Sequence, residues 1–288
     1  MFWNVENLFD MVDDSITADE EFLSESYLGW NERVYQYKVE QISRIINDEK
    51  PQIVGLAEVE NREVLEALCN KMDNSEVWGI IHQDGDDPRG IDCALLYRTD
   101  FFTVIHERYY RPHLVSGGKT RDFLLVELAI KNVTADPFVV GVLHFPSKRG
   151  GESRSEPDRL ACSRQLVTLL HDQYKGKKIL LMGDLNAGSN DEPVKILRNF
   201  FSPLITDVWT YVYRAQKEQL DHLFASSEFF IGTPSICKES AKVLYHPAMQ
   251  NEFGFPEAFI QQRQVVGGFS DHYPLSVTLV YQKNFLPH

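Results

Sequence analysis

Cysteine is scarce. The 288 residues hold four, Cys69, Cys93, Cys162 and Cys237, with no CxxC pair among them. That spacing gives no disulfide framework and no cysteine-type zinc site, so ordinary buried thiols are expected. Basic residues are also in short supply, 29 Lys and Arg against 42 Asp and Glu, for a net charge of −13. Such a balance argues against a broad basic face that holds duplex DNA by counterion release, and leaves a small local positive patch open. No run of about 18 apolar residues occurs, so no membrane-spanning helix is expected. Nor is there a visible signal peptide, internal repeat or low-complexity tract. A cytoplasmic monomer is the expectation. Because Met1-Phe2-Trp3 already reads as strand, a removed leader and a secreted or periplasmic home stay compatible with the sequence.

What is present is enough for a sizeable core: 43% hydrophobic and 25% charged residues. No linker divides the chain, so one domain spanning residues 1–288 is expected. Tyr35, Val39, Ile42 and Ile46 lie on one helix face, which Asp48-Glu49-Lys50-Pro51 terminates. IVGLA at 53–57 is a short apolar strand, and Asn61 caps the helix that follows. Further strands are expected at VWGIIH, DCALLYR, FFTVIH, FLLVELAI, FVVGVLH, KKILLM, DHLFA and PLSVTLVY, with a helix from about Pro157 to Tyr174. Strands outnumber helices and several follow one another directly, which suits mixed sheets with helices packed outside.

Polar residues gather at the strand ends. Glu58 closes 53–57, His144 closes FVVGVL, and Asp184 with Asn186 closes KKILLM; Asp221-His222 and Ser270-Asp271-His272 open two later strands. Residues beyond strand ends sit on the rim of a sheet, where open α/β sheets place their sites. A rim of Asp, Glu, His and Asn can hold a hard divalent cation and activate water beside it. Taken singly, each is ordinary turn, cap or core chemistry. Five such places, two of them with histidine in LH and SDH contexts, are harder to explain as independent turns.

The stretches WNVENLF, GLAEVEN, LHFPSKRGG, MGDLNAG, QLDHLF and FSDHYPL resemble, in order and over residues 3–278, the endonuclease/exonuclease/phosphatase superfamily. That group includes DNase I-like nucleases, AP endonucleases, inositol polyphosphate phosphatases and neutral sphingomyelinases. GDLNA with SDHYPL is the specific part. The resemblance implies a DNase I-like four-layer α/β/β/α sandwich, two mixed β-sheets flanked by helices, with a metal-dependent cleft at the top. It implies that Glu58, with Glu6 and Asp271, holds Mg²⁺ or Mn²⁺. It makes Asn4 a phosphate-side amide, His144 a contact to the scissile phosphate or leaving group, Asp184 and Asn186 the GDxN pair, and Asp221 the aspartate opening the next strand. Asp271 and His272 form the terminal dyad, and Arg121 matches a phosphate-contacting arginine. Asp92, in GIDCALLYR, lies near the point where nucleases often place a tyrosine.

Phosphoester hydrolysis needs activated water, neutralised phosphoryl oxygens and help for the leaving oxygen. His272, oriented by Asp271, is expected to take the water's proton, with Asp184 the other candidate for that role. Asn186, His144 and Asn4 would donate to the phosphoryl oxygens, Asp184 and Asn186 projecting to one side of an extended chain. After His144, the stretch PSKRGGESRSEPDR carries Lys148, Arg149, Arg154 and Arg159, either a solvated charged loop or a clamp for further phosphates. The insertion at 238–264, with Tyr245, His246, Phe253, Phe255 and Phe259, either lines the cleft or packs onto the body. A nuclease acting on DNA or nucleotides is the first expectation. A phosphatase or phosphodiesterase of inositol, sugar or lipid head-group phosphates is the alternative, and an inactive binding module on the same fold is a reading of another class.

Overall fold

A computed structural model describes residues 1–148 and 151–281. In chain order the strands are β1 (Phe2–Leu8), β2 (Ile53–Val59), β3 (Trp78–Ile81), β4 (Asp92–Arg98), β5 (Phe102–Tyr110), β6 (Phe123–Ile130), β7 (Phe138–His144), β8 (Lys178–Asp184), β9 (Ser202–Pro203), β10 (Tyr211–Tyr213), β11 (Gln216–Glu218), β12 (Asp221–Ala225), β13 (Ser235–Val243), β14 (Ile260–Gln261), β15 (Gln264–Val265) and β16 (Leu275–Val280). The α-helices are α1 (Glu32–Glu49), α2 (Arg62–Lys71), α3 (Glu152–Gln173) and α4 (Glu192–Arg198). One six-stranded sheet runs β13, β16, β1, β2, β4, β3, and the other runs β5, β6, β7, β8, β12, β9. Both are mixed. The β1–β2 and β7–β8 pairs are parallel and their other neighbours antiparallel, because α1 and α3 are the crossover helices that return the chain in the same direction.

Strands β2, β7 and β8 are apolar almost throughout because both of their faces are covered. One face of each sheet meets the other, with Gly55 of β2 set against Val142 and Met182, and the same core takes in Trp3, Leu56, Val140 and Leu180 together with Val39 and Ile42 of α1. The outer face of the second sheet packs Leu125, Val139 and Leu181 against Cys162, Leu166 and Leu170 of α3. The edge strand β5 carries exposed His106, Glu107 and Arg108, charges that blunt a free edge. Cys69, Cys93 and Cys162 are buried free thiols and Cys237 is half-buried.

Helix boundaries follow local chemistry. Asn31 caps α1 through the N–H groups of Arg33 and Val34, and Asn61 caps α2 through that of Val64. α3 begins at Glu152, earlier than the expected start near Pro157. Its first turn is held from outside: the buried Arg159 guanidinium donates to Ser155 Oγ, Glu152 O and Pro146 O. Most of the expected basic loop is therefore helix, and Arg159 is a buried strut. Arg154 is exposed on that first turn. Arg149 lies outside the described residues.

Candidate active site

The carboxylates and imidazoles read from the strand ends meet on one rim, where β1 and β2 of the first sheet face β7, β8 and β12 of the second. The strands are irregular where they deliver side chains. The β1–β2 register shifts between Asn4 and Leu8, and the β2–β4 register between Ala57 and Val59. Glu6, Asn7, Glu58 and Asn186 all take positive φ, at 54°, 58°, 65° and 47°. A bulge of this kind re-aims a side chain that a regular strand would bury. It leaves the Glu58 side chain 15% exposed at the end of a buried strand. Asn186 is thus in the left-handed region, a departure from the expected extended chain. Its N–H donates to Asp184 Oδ1 at 2.8 Å and its Nδ2 to Phe145 O at 3.1 Å.

Asn4 ties the two sheets together. Its Nδ2 donates to Asp184 Oδ2 at 3.0 Å and to Glu58 Oε1 at 3.3 Å. His144 Nε2 stands 3.8 Å from Glu58 Oε1 and 3.7 Å from Asp184 Oδ2. Burial holds the His144 imidazole well below the ordinary histidine range, helped by the positive field of Arg121, so it is neutral near pH 7. Burial, and then the like charge of Asp221, pushes Asp184 up to about 7.

His272 departs from the sequence expectation. Its Nδ1 lies 2.7 Å from Asp221 Oδ2, whereas Asp271, its neighbour in sequence, is 3.8 Å from Nε2. The orienting carboxylate is Asp221, which β12 presents directly opposite Asp184 of β8. Nε2 faces the cleft, 3.9 Å from Asp184 Oδ2. Burial opposes charge on this ring, but Asp221, Asp271 and Asp184 outweigh it and hold His272 well above the ordinary value. The ring is packed against Tyr211, centroid to centroid 4.8 Å, and the His272 carbonyl accepts from Trp3 Nε1 at 2.9 Å.

Glu6 lies behind this rim. Its carboxylate accepts the N–H groups of Phe259 (2.6 Å), Ile260 (2.9 Å) and Asp271 (3.1 Å). Beside it the fully buried Lys38 donates to Phe269 O at 2.8 Å and lies 4.6 Å over the Phe259 ring. Burial drives Glu6 up to about 8 and Lys38 down to about 8, and the attraction between their charges opposes both shifts. The sequence reading passed over Lys38, although a lysine three residues after Tyr35 and four before Ile42 falls on the apolar face of α1. Tyr211 and Trp3 carried no comparable signal.

The other expected substrate contacts are engaged elsewhere. Arg121 is buried, with Nη1 2.8 Å from Asp87 Oδ2 and Nη2 bonded to Phe145 O. Lys148 is 2.6 Å from Glu218 Oε2 and 3.4 Å from Glu152 Oε1. In the 238–264 insertion the packing alternative holds for most aromatics. Tyr245 and Phe255 pack on Trp209, and Phe259 is buried against Trp30. His246 faces Asp48 at 3.3 Å, and Phe253 is exposed.

A divalent cation fits the donor chemistry on this rim. Glu58 and Asp271, at 15% and 35% side-chain exposure, are the acidic groups open to the cleft, and carboxylate oxygens suit a hard ion. Asp184, Asp221 and His272 also present donor atoms within 4.8 Å of one another.

Sequence comparison agrees with this architecture. The model of the Endonuclease/Exonuclease/phosphatase family matches residues 1–281. The chain belongs to that family. No curated protein matches the sequence significantly. Among solved structures, an endonuclease/exonuclease/phosphatase from Bacteroides vulgatus is 15% identical, with 86% of this chain and 92% of that one covered at a TM-score of 0.63. A mannosyl-6-phosphatase from Bacteroides thetaiotaomicron is 15% identical over 97% and 98%, at 0.62. TDP2 from C. elegans is 18% identical over 87% and 72%, at 0.58. At these identities the likeness establishes the DNase I-like fold, and the family places the chain among hydrolases whose fold usually works with a divalent metal.

Proposed function

We propose that the protein is a divalent-metal-dependent phosphoesterase whose substrate presents one phosphate group to the rim, as in a nucleotide or a sugar phosphate. The observation that carries this reading is the convergence of Asp184, Asn4, His144 and the Asp221–His272 pair beside the open carboxylates of Glu58 and Asp271.

Glu58 and Asp271 would hold Mg²⁺ or Mn²⁺, which when bound supplies positive charge to the phosphoryl oxygens. Asp184 accepts the proton of the attacking water, since a carboxyl group near 7 is matched to that task at neutral pH. His272, kept cationic by Asp221, presents Nε2–H to a phosphoryl oxygen. Asn4 locks Asp184 against rotation, and neutral His144 donates to the phosphate or the leaving oxygen. Glu6 acts through the loop whose amides it accepts.

Of the residues expected to clamp further phosphates, Lys148 is bonded to Glu218 and Arg159 is buried, and Arg121, expected to contact a phosphate, is bonded to Asp87, which favours a small ester over duplex DNA. The test is hydrolysis of supercoiled plasmid, bis(p-nitrophenyl) phosphate, a sugar phosphate and an inositol polyphosphate, each with Mg²⁺ or Mn²⁺ and with EDTA. Turnover of the small esters that EDTA abolishes is expected. Plasmid nicking faster than small-ester hydrolysis would return the assignment to a nuclease, and EDTA-insensitive turnover would overturn the metal role.

A further inference from the structure

A second group of donor side chains lies on the edge of the first sheet. His82 follows β3, Asp92 opens β4, and Asp84 lies in the loop between them. One donor atom from each falls within 4.8 Å of the others. His82 Nδ1 is 3.8 Å from Asp84 Oδ1, and His82 Nε2 is 4.0 Å from Asp92 Oδ2. The His82 side chain is only 2% exposed, yet its Nε2 has no hydrogen-bond partner among the described residues. A buried, unpartnered ring nitrogen aimed at a buried carboxylate is costly unless something joins them.

The surrounding charges sharpen the contrast. Asp86 is ion-paired with Arg111 and Lys119, Asp87 with Arg89 and Arg121, and Asp122 with Arg111. Among the described residues, Asp84 and Asp92 are ion-paired to no Lys or Arg; His82 is the one basic group they face. The loop backbone also closes over the group, with Gly85 N–H donating to Asp92 Oδ2 at 2.9 Å.

We infer that His82, Asp84 and Asp92 form a second divalent-cation site, separate from the catalytic rim and selective for zinc or a similar borderline ion over magnesium. The imidazole decides the selectivity: a nitrogen donor suits Zn²⁺ or Co²⁺, while Mg²⁺ prefers oxygen alone. An ion roughly 2.0–2.2 Å from each donor holds donors about 3.4 Å apart, so the group, whose donor atoms lie within 4.8 Å of one another, closes by up to roughly 1.4 Å around it. Asp84, 80% exposed, makes that adjustment by rotating from the Nδ1 side towards Nε2. The bound ion would satisfy Nε2, neutralise Asp92 and pin the 82–92 loop, through which Asp87 holds Arg121 behind the catalytic rim.

The test is Co²⁺ titration of the chelator-treated full chain, followed by visible d–d absorption. The expected result is that, in a large excess of Mg²⁺ to fill the rim, one Co²⁺ still binds and its bands are displaced by Zn²⁺. His82→Gln should abolish the bands. Asp84→Asn changes an exposed side chain, so its fold is not in doubt, and it should weaken binding about tenfold or more. Loss of every Co²⁺ band to excess Mg²⁺, Mg²⁺-resistant bands unchanged in both variants, or no Co²⁺ binding by the parent protein would each overturn the inference. Because absorption is the readout, loss of phosphoesterase activity would not be confused with loss of this site.

Discussion

Replacing Asp221 with Asn exchanges one oxygen for an amide and leaves the shape of the pocket unchanged. It removes the charge 2.7 Å from His272 Nδ1, which helps hold that ring well above the ordinary value. The expected outcome is a fall in kcat of about 10²- to 10⁴-fold with little change in the Mg²⁺ concentration needed. The alkaline limb of the pH–rate profile should move to lower pH, because an imidazolium without its partner loses its proton sooner. An unchanged alkaline limb would show that His272 does not work as the cation. At this scale the sequence disclosed identities better than partnerships. Glu58, Asp184, His144 and His272 were legible as polar ends of apolar strands. That Asp221, not Asp271, faces His272 follows only from knowing that β12 lies beside β8, with Asp221 opposite Asp184.

The segment from Glu257 to Tyr273 carries Asp271 and His272, and it is fastened at several points. Phe269 N–H donates to Glu257 O at 2.7 Å, Lys38 holds Phe269 O, and Glu6 gathers three N–H groups. Gly268 sits where a Cβ would lie 2.2 Å from Glu257 O and 2.3 Å from Ala258 O. Main-chain carbonyls of two consecutive residues cannot yield cheaply. Gly268→Ala is therefore expected to cost about 1–3 kcal/mol in urea denaturation and to lower kcat beyond what the unfolded fraction explains. Wild-type kcat in a destabilised variant would show that this segment does not set the position of His272. Helices α1 and α2 were legible here because their caps are local. The start of α3 was not, since Arg159 fixes it through contacts back to Pro146, and Pro157 reads by itself as a first-turn residue. Lys38 shows in the sequence only as a misfit on an apolar stripe, and its bond to Phe269, 231 residues away, does not show there at all.

For the molecule as a whole, buried neutral histidine is the feature that couples stability to acid. His222 is buried, with Nε2 2.9 Å from Ala187 O, and burial lowers its pKa. The unfolded chain takes up a proton below about 6.5 that the folded chain refuses, so this contribution is complete above that pH and is lost as the pH falls. His222→Gln should lose less stability than the parent between about pH 6.5 and 5 in denaturant titrations. An equal loss in both would show that this ring is not a proton-linked site. The mixed-sheet architecture was visible from directly successive strands, and the two parallel pairs follow from where α1 and α3 interrupt them. The bulges at Asn4–Leu8 and Ala57–Val59 were not visible, because they arise from how two strands register against each other.

Those bulges hold Glu6, Asn7 and Glu58 in left-handed backbone, as the turn after β8 holds Asn186. Asparagine tolerates that region, whereas a glutamate there costs of order 1 kcal/mol or more. Glycine there would relax the chain while deleting a side chain of the site. Under selection for heat resistance alone, position 58 would drift towards glycine, and the lineage would become sturdier and inert. Retaining the acid therefore requires continued selection for turnover, so a hardened version of this protein is better sought in its outer helices than on the rim.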